Sequence, residues 1–216
     1  MRVLIALLCT AALASPVSGQ TRPVARPALN DTPGLALRPF VAVALEQFTA
    51  DQTFEAVFGQ PFQPTWGGGL QLAFRSGLYF DVTVSRFQKT GQRAFFHDGE
   101  GFGLGIPLTV KLTPIEVTIG ARTRATSRVF PYLGAGVGSY RYEETSEFDD
   151  GPFEARHVGY LVFGGVEVRV GRWFAVSGDV QYNRVPGILG SGGVSQETGE
   201  DDLGGVAGRF RVIVGR

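Results

Sequence analysis

The chain has 216 residues, with 20 basic and 20 acidic side chains and a single cysteine. Zero net charge excludes the basic field that nucleic-acid binding requires. Because the one cysteine is Cys9, a mature form that has lost the leader has neither disulfide staples nor a thiol for catalysis. No apolar run of helical length follows residue 19, so stability must come from paired strands.

The leader is residues 1–19. Arg2 supplies a positive n-region, Val3 to Ala14 form an apolar core interrupted only by Cys9 and Thr10, and Val17-Ser18-Gly19 offers small residues for cleavage before Gln20. Such a run is too short to span a membrane as a helix, which takes about 20 residues. Leu8 before Cys9 speaks against a lipoprotein site, which needs a small residue there. Loss of Arg2 leaves 19 basic against 20 acidic residues, a net charge of minus one. Residues 20–37 hold three prolines and no alternation, and read as an extended periplasmic lead-in.

From residue 38 to 216 the pattern changes to eight stretches of alternating apolar and polar residues. The first, about Pro39 to Phe48, sets Val41, Val43 and Leu45 against Ala42, Ala44 and Glu46. The second, about Thr65 to Arg75, sets Trp66, Leu70, Leu72 and Phe74 against Gln71, Ala73 and Arg75, and Ser76-Gly77 turns the chain. The third alternates Leu78, Phe80, Val82 and Val84 against Tyr79, Asp81 and Thr83.

The fourth changes phase. Ile106, Leu108, Val110 and Leu112 keep one parity, whereas Ile115, Val117, Ile119 and Ala121 keep the other. A bulge at Thr113-Pro114 reconciles them in one long strand, since a bulge adds a residue and tolerates proline. The fifth (Arg128 to Tyr142) places Leu133, Ala135 and Val137 opposite Tyr132 and three glycines. The sixth (Arg156 to Val170) sets Val158, Tyr160, Val162, Val166 and Val168 against Phe163, Glu167 and Arg169. The seventh (Trp173 to Val185) and the eighth (Leu203 to Arg216) place Asp179, Arg209 and Arg211 on the polar face. The gaps run roughly 16, 2, 13, 4, 13, 2 and 17 residues, long alternating with short, as in an up-and-down barrel threaded through a membrane.

Two further patterns favour lipid outside. Trp66 and Phe74 are eight residues apart on one apolar face, as are Phe174 and Tyr182. Eight residues cover about 26 Å of strand, or about 20 Å along the normal after a tilt of about 40°, close to the apolar band of about 25 Å between aromatic girdles. These four are the expected membrane-interface aromatics. The opposite face carries Glu46, Arg75, Asp81, Lys111, Glu116, Arg122, Glu167, Arg169, Asp179, Arg209 and Arg211, six basic and five acidic. Buried charges must pair or be wet, so this set predicts a salt-bridged, hydrated lumen rather than an open pore.

With its leader, eight strands and alternating loops, the chain resembles the small outer-membrane barrels of the OmpA, OmpX and OmpW type. Pro131-Tyr132-Leu133-Gly134-Ala135-Gly136-Val137-Gly138 is similar to a stretch common in that outer-membrane β-barrel group. The group usually ends in an aromatic residue, whereas here Phe210 is the last. The resemblance implies an all-β, eight-stranded antiparallel transmembrane barrel at residues 38–216, monomeric, in the outer membrane of a Gram-negative-type cell. It implies outer-membrane lipid, lipopolysaccharide and the barrel assembly machinery as partners.

Other chemistry is sparse. His97 and His157 are the only histidines, and neither has the serine that a lipid-hydrolase pairing needs. Glu143, Glu144, Glu147, Asp149, Asp150 and Glu154 make one long loop acidic, and Glu197, Glu200, Asp201 and Asp202 another, without the spacing of a calcium loop. The Gly67-Gly68-Gly69 and Gly134-x-Gly136-x-Gly138 stretches lie within strands with no helix after them, which excludes a phosphate cradle. No catalytic residue, metal site or cofactor is expected. The functional expectation is a structural envelope barrel or a narrow channel for small or apolar solutes. Its alternatives are recognition through the long loops and a soluble lipocalin-like barrel holding a small apolar ligand.

Overall fold

Eight antiparallel strands close on themselves in sequence order, each paired with its neighbour and the last with the first. They are β1 (Leu35–Phe48), β2 (Phe62–Phe74), β3 (Leu78–His97), β4 (Glu100–Arg122), β5 (Val129–Ser146), β6 (Phe153–Arg169), β7 (Phe174–Arg184) and β8 (Gly205–Val214). The computed structural model describes residues 34–97, 100–124, 126, 128–146, 153–190, 195 and 199–215. The leader, the first part of the lead-in, and Glu147, Asp149, Asp150 and Glu197 lie outside them, as does the side chain of His97.

One end of the barrel has tight connections. Between β2 and β3 the Gly77 amide donates to the Phe74 carbonyl at 3.1 Å, and Gly77 has a φ of 93°. Any side chain there would be strained and would also meet the Arg122 carbonyl oxygen. Between β6 and β7 the Val170 and Gly171 amides both donate to the Phe174 carbonyl.

The opposite end departs from the expected rhythm. The second long gap is no loop, because β3 and β4 run on as one extended hairpin to His97↔Glu100. β5 and β6 likewise pair as far as Glu144↔Phe153. The first gap contains a helix that alternation did not disclose, α1 (Asp51–Phe58). The lead-in is also shorter than expected, since Leu35, Ala36 and Leu37 already pair with Phe74, Ala73 and Leu72.

The bulge at Thr113-Pro114 is not there. Val84↔Ile115 and Phe87↔Leu112 belong to one unbroken register, and the only shift in this pair of strands falls between Gln92 and Ala94. The change of phase has a different cause. Leu108, Val110 and Leu112 point inward and are buried at 1–2% exposure, so the apolar residues themselves change sides along β4. Near the short turns the interior is charged and the exterior apolar; towards the long loops the interior becomes apolar.

The apolar interior is organised by α1. Phe54 and Val57 turn into the barrel mouth, where Phe48 stacks on Phe54 with centroids 4.1 Å apart and Phe87 packs 6.2 Å from each. Val185, Ile188, Leu189 and Leu203, from the β7–β8 connection, complete the cluster. Glu200 from that connection accepts hydrogen bonds from the Gln52 amide, the Thr53 amide and Thr53 Oγ1, at 3.1, 2.8 and 2.6 Å. It thus satisfies amides at the helix start that Ala50, in the N-cap position, has no side-chain acceptor to cap. Gly59, left-handed at φ 74°, ends the helix.

Helix α1 approaches β3 over Gly91, where a β-carbon would run into the Val57 carbonyl oxygen. Gly91→Val should therefore push α1 off the mouth at a cost of about 1–3 kcal/mol. Limited proteolysis should then cut within residues 51–58 at least about tenfold faster, while heat-modifiable gel migration still reports an intact barrel. Unchanged cleavage would show that α1 does not depend on this contact.

Candidate functional site

The lumen gathers buried charged side chains from strands far apart in sequence, and among the described residues they form two ionic clusters. In the first, Arg38 on β1 makes a two-pronged contact with Glu167 on β6, Nη2 to Oε1 at 2.7 Å and Nη1 to Oε2 at 3.0 Å. Its Nη1 also donates to Gln71 Oε1 at 2.6 Å, and Arg122 Nη1 lies 3.4 Å from Glu167 Oε2. Arg169 sits at the margin with its guanidinium carbon 4.5 Å from the Phe130 ring centre.

In the second cluster Arg211 bridges Asp81 at 3.1 Å and Asp179 at 2.9 Å. Tyr132 donates its hydroxyl proton to Asp179 Oδ2 at 2.6 Å and accepts from Arg211 Nη2 at 3.1 Å. Arg209 Nε donates to the other Asp179 oxygen at 2.6 Å. The Phe163 ring lies under both guanidinium groups, 4.9 Å from Arg209 and 5.7 Å from Arg211. That ring fits because it lies over Gly134, where a β-carbon would be 2.6 Å from Phe163 Cζ. The glycine-rich stretch of β5 thus makes room for an aromatic platform under the charges.

Above this level the nearest partners of the carboxylates are neutral. Tyr140 and Gln181 donate to Glu116 Oε1 at 2.8 and 3.2 Å, with Arg209 Nη1 4.0 Å from Glu116 Oε2. Asn183 donates to Glu46 Oε1 at 3.0 Å. A cavity of about 40 Å³ lies here, lined among others by Glu46, Glu116, Tyr140, Asn183, Phe87 and Leu112. It has room for two or three waters, each needing at least about 10–15 Å³, and not for a continuous channel.

The structure thus places Glu46, Asp81, Glu116, Arg122, Glu167, Asp179, Arg209 and Arg211 in the lumen, with Arg169 at its edge. Two expected members are elsewhere. Arg75 is exposed in the β2–β3 turn, because β2 ends at Phe74. Lys111 points outward towards Glu143 at 4.0 Å, because β4 keeps its register through Pro114. Two members were missed. Arg38 is 1% exposed, yet Pro39 and the unassigned start of β1 hid its parity with Phe40 and Glu46. Glu144, expected in an acidic loop, instead faces inward on β5, which runs on to Ser146; it is 4% exposed and accepts from the Tyr142 hydroxyl at 2.6 Å. With Arg75 and Lys111 removed and Arg38 added, these clusters hold five basic and five acidic side chains. His157 is exposed at the rim. Among the described residues, no group of three or more His, Cys, Asp or Glu side chains is arranged to hold a metal ion.

On the outer wall Trp66 is 64% exposed, Phe174 55%, Tyr182 45% and Phe74 43%. They border a belt in which every strand contributes exposed apolar side chains, from Leu37, Val41 and Val43 on β1 to Val206, Phe210 and Val214 on β8.

No protein-family model and no curated protein matches the chain. Among solved structures it is similar to Neisserial surface protein A, at 15% identity over 85% of this chain and 96% of that one, with a TM-score of 0.50. A major outer membrane protein from Thermus thermophilus aligns at 10% identity over 83% of this chain and 99% of that one, with a TM-score of 0.49. The N-terminal barrel domain of OprF from Pseudomonas aeruginosa aligns at 9% identity over 83% and 97%, with a TM-score of 0.47.

Arg38→Ala should strand the Glu167 carboxylate in the wall and lower the unfolding free energy by about 3–5 kcal/mol in urea titrations of vesicle-bound protein. Arg75→Ala and Lys111→Ala should each change it by no more than about 0.5 kcal/mol. Equal losses at all three positions would overturn the lumen membership given above. By its closed strand order and the first of these likenesses, the chain has the fold of the small eight-stranded outer-membrane barrels.

Proposed function

We propose that the protein is an integral outer-membrane barrel with a sealed lumen and a structural, envelope-associated role, rather than a solute channel. The observation that carries the reading is the inversion of sides. Outward positions in the belt between Phe74 and Trp66 and between Phe174 and Tyr182 are apolar, whereas the described charges at that height point inward. A soluble barrel holding an apolar ligand needs the reverse arrangement. An apolar surface encircling all eight strands far exceeds the few hundred Å² that soluble monomers expose. The leader expected at residues 1–19 and the motif resemblance to the OmpA, OmpX and OmpW type support this placement, and we propose a monomer.

Two barriers in series close the lumen. The Arg38–Glu167 and Arg211–Asp179 clusters fill it near the short turns, and α1 with Phe48, Phe54 and Phe87 fills it towards the long loops. The reading assigns no catalysis. A second reading, recognition by the surface beyond the belt, draws on the β3–β4 hairpin, in which β3 continues eleven residues past Arg86.

Heat-modifiable migration of detergent-extracted protein tests the membrane placement, and recovery from a soluble fraction without detergent would sink it. In planar bilayers the protein should be silent. Arg209→Ala or Phe54→Ala alone should leave conductance small, because the other barrier stands, and the pair together should open a measurable pore. Steady conductance of the unaltered protein would refute the sealed lumen.

A further inference from the structure

The outer wall beyond the aromatic belt is charged on one side only. Arg86 pairs across strands with Trp66, and Arg156 lies on β6 four residues beyond Tyr160 on the same outward face. Arg141 on β5 faces outward beside Arg156, Lys111 on β4 faces outward beside Glu143, and Arg184 on β7, opposite Tyr160, faces outward and is neutralised by Asp202 at 2.8 Å. On the far wall the outward positions are Gln47 and Thr49 before α1 and Phe62 and Pro64 after it, none of them charged.

Register sets Arg141 directly opposite Arg156. Like charges in that position repel and destabilise a sheet. Arg141 is compensated, with Nε 2.7 Å from Glu143 and Nη2 3.0 Å from Glu154. Arg156 makes no ion pair among the described residues, and Arg86 has only the amide oxygen of Gln88, at 2.6 Å. Five basic side chains thus stand against three carboxylates on one exposed face, and once Arg184 is set against Asp202 four remain against two, with a like-charge pair at their centre.

Height identifies what compensates them. Four residues of strand past Tyr160 cover about 13 Å, or about 10 Å along the normal at the usual tilt. Headgroups occupy about 5–8 Å beyond each edge of the hydrocarbon core, and arginine stems reach down along an apolar wall. We propose that Arg86, Arg141, Arg156 and Lys111 form a docking surface for the phosphate groups of phosphorylated lipid headgroups in the leaflet facing the long loops. The guanidinium forks match phosphate oxygens two at a time, and the glutamates hold Arg141 in place for that contact. This inference rests on the membrane placement proposed above.

The test uses the full-length protein in nanodiscs of phosphatidylcholine, alone or doped with a bisphosphorylated lipid A, with retained lipid counted by native mass spectrometry. Correct insertion in phosphatidylcholine alone, seen as heat-modifiable migration, checks the placement independently of the docking surface. Lipid A should be retained and should raise the thermal midpoint. Arg86→Gln/Arg156→Gln, both on the exposed outer wall, should still insert but bind it about 25-fold more weakly, from about fivefold per charge near the membrane surface. Dephosphorylated lipid A should be retained no better than phosphatidylcholine. Inorganic phosphate at equal concentration should not displace the lipid; displacement would mean a site for free anions. Equal retention by the double variant, or equal retention of the dephosphorylated lipid, would overturn the proposal. So would preferential binding of a soluble sulfated polysaccharide to the same arginines.

Discussion

Everything else in this molecule follows from the pairing of β8 with β1, which runs from Phe40↔Ile213 to Phe48↔Gly205. Where water cannot reach the backbone, every amide and carbonyl must be paired internally, and a sheet meets that condition only by having no edge. Closure on eight strands then fixes the bore at a width that side chains alone can fill. Side chains that alternate along each strand are divided between a lipid wall and this narrow interior. The pattern of alternation is therefore a consequence of closure, and so is the crowding of charge inside.

Crowding charge into a narrow space is costly unless the charges answer one another. Removing an ion from water costs several kcal/mol even after relaxation, and here the partners come from strands far apart in sequence. Arg38 and Glu167 are 129 residues apart, and Arg211 and Asp81 are 130. Each pair spans the bore rather than one seam of it, so it favours a single relative placement of opposite walls. Tyr132 strengthens the arrangement by donating to a carboxylate that already receives two arginines. Across these clusters five basic groups meet five acidic ones, and Glu144, buried nearer the long loops, adds a further carboxylate that accepts from the Tyr142 hydroxyl at 2.6 Å.

Much of this was legible because period-two alternation maps directly onto inside and outside. Strand count, turn positions and most lumen charges follow from it, and Asp179, Arg209 and Arg211 sit where parity puts them. The bulge and the placement of Lys111 failed for one cause. Alternation identifies the unlike faces of a strand, not which face is polar, and on β4 the apolar face is outward at Ile115 and inward at Leu112. Reading every apolar residue as outward created a bulge and put Lys111 inside. Helix α1 escaped for another reason: its eight residues between strands make barely two turns, and Phe54, Val57 and Phe58 are too short a series to establish a helical period. Arg38 escaped because the residues around it, Leu37 and Pro39, face outward in a segment dominated by prolines.

The switch of polarity along β4 also explains why the two ends of the lumen are built differently. Near the short turns, register alone brings the charges together, since every strand there is anchored to both neighbours. Towards the long loops β3 outruns its pairing with β2, which stops at Trp66↔Arg86. Ionic partners across that gap would depend on a wall that is no longer complete. Apolar packing tolerates such a gap because it is non-directional, and α1 supplies the missing volume from the β1–β2 connection. Glu200, reaching from the β7–β8 connection to the start of α1, joins the two connections that flank the β8–β1 pair. The upper closure is therefore made by chain segments that belong to no strand, which is where conformational change in such a barrel has room to occur without breaking the sheet.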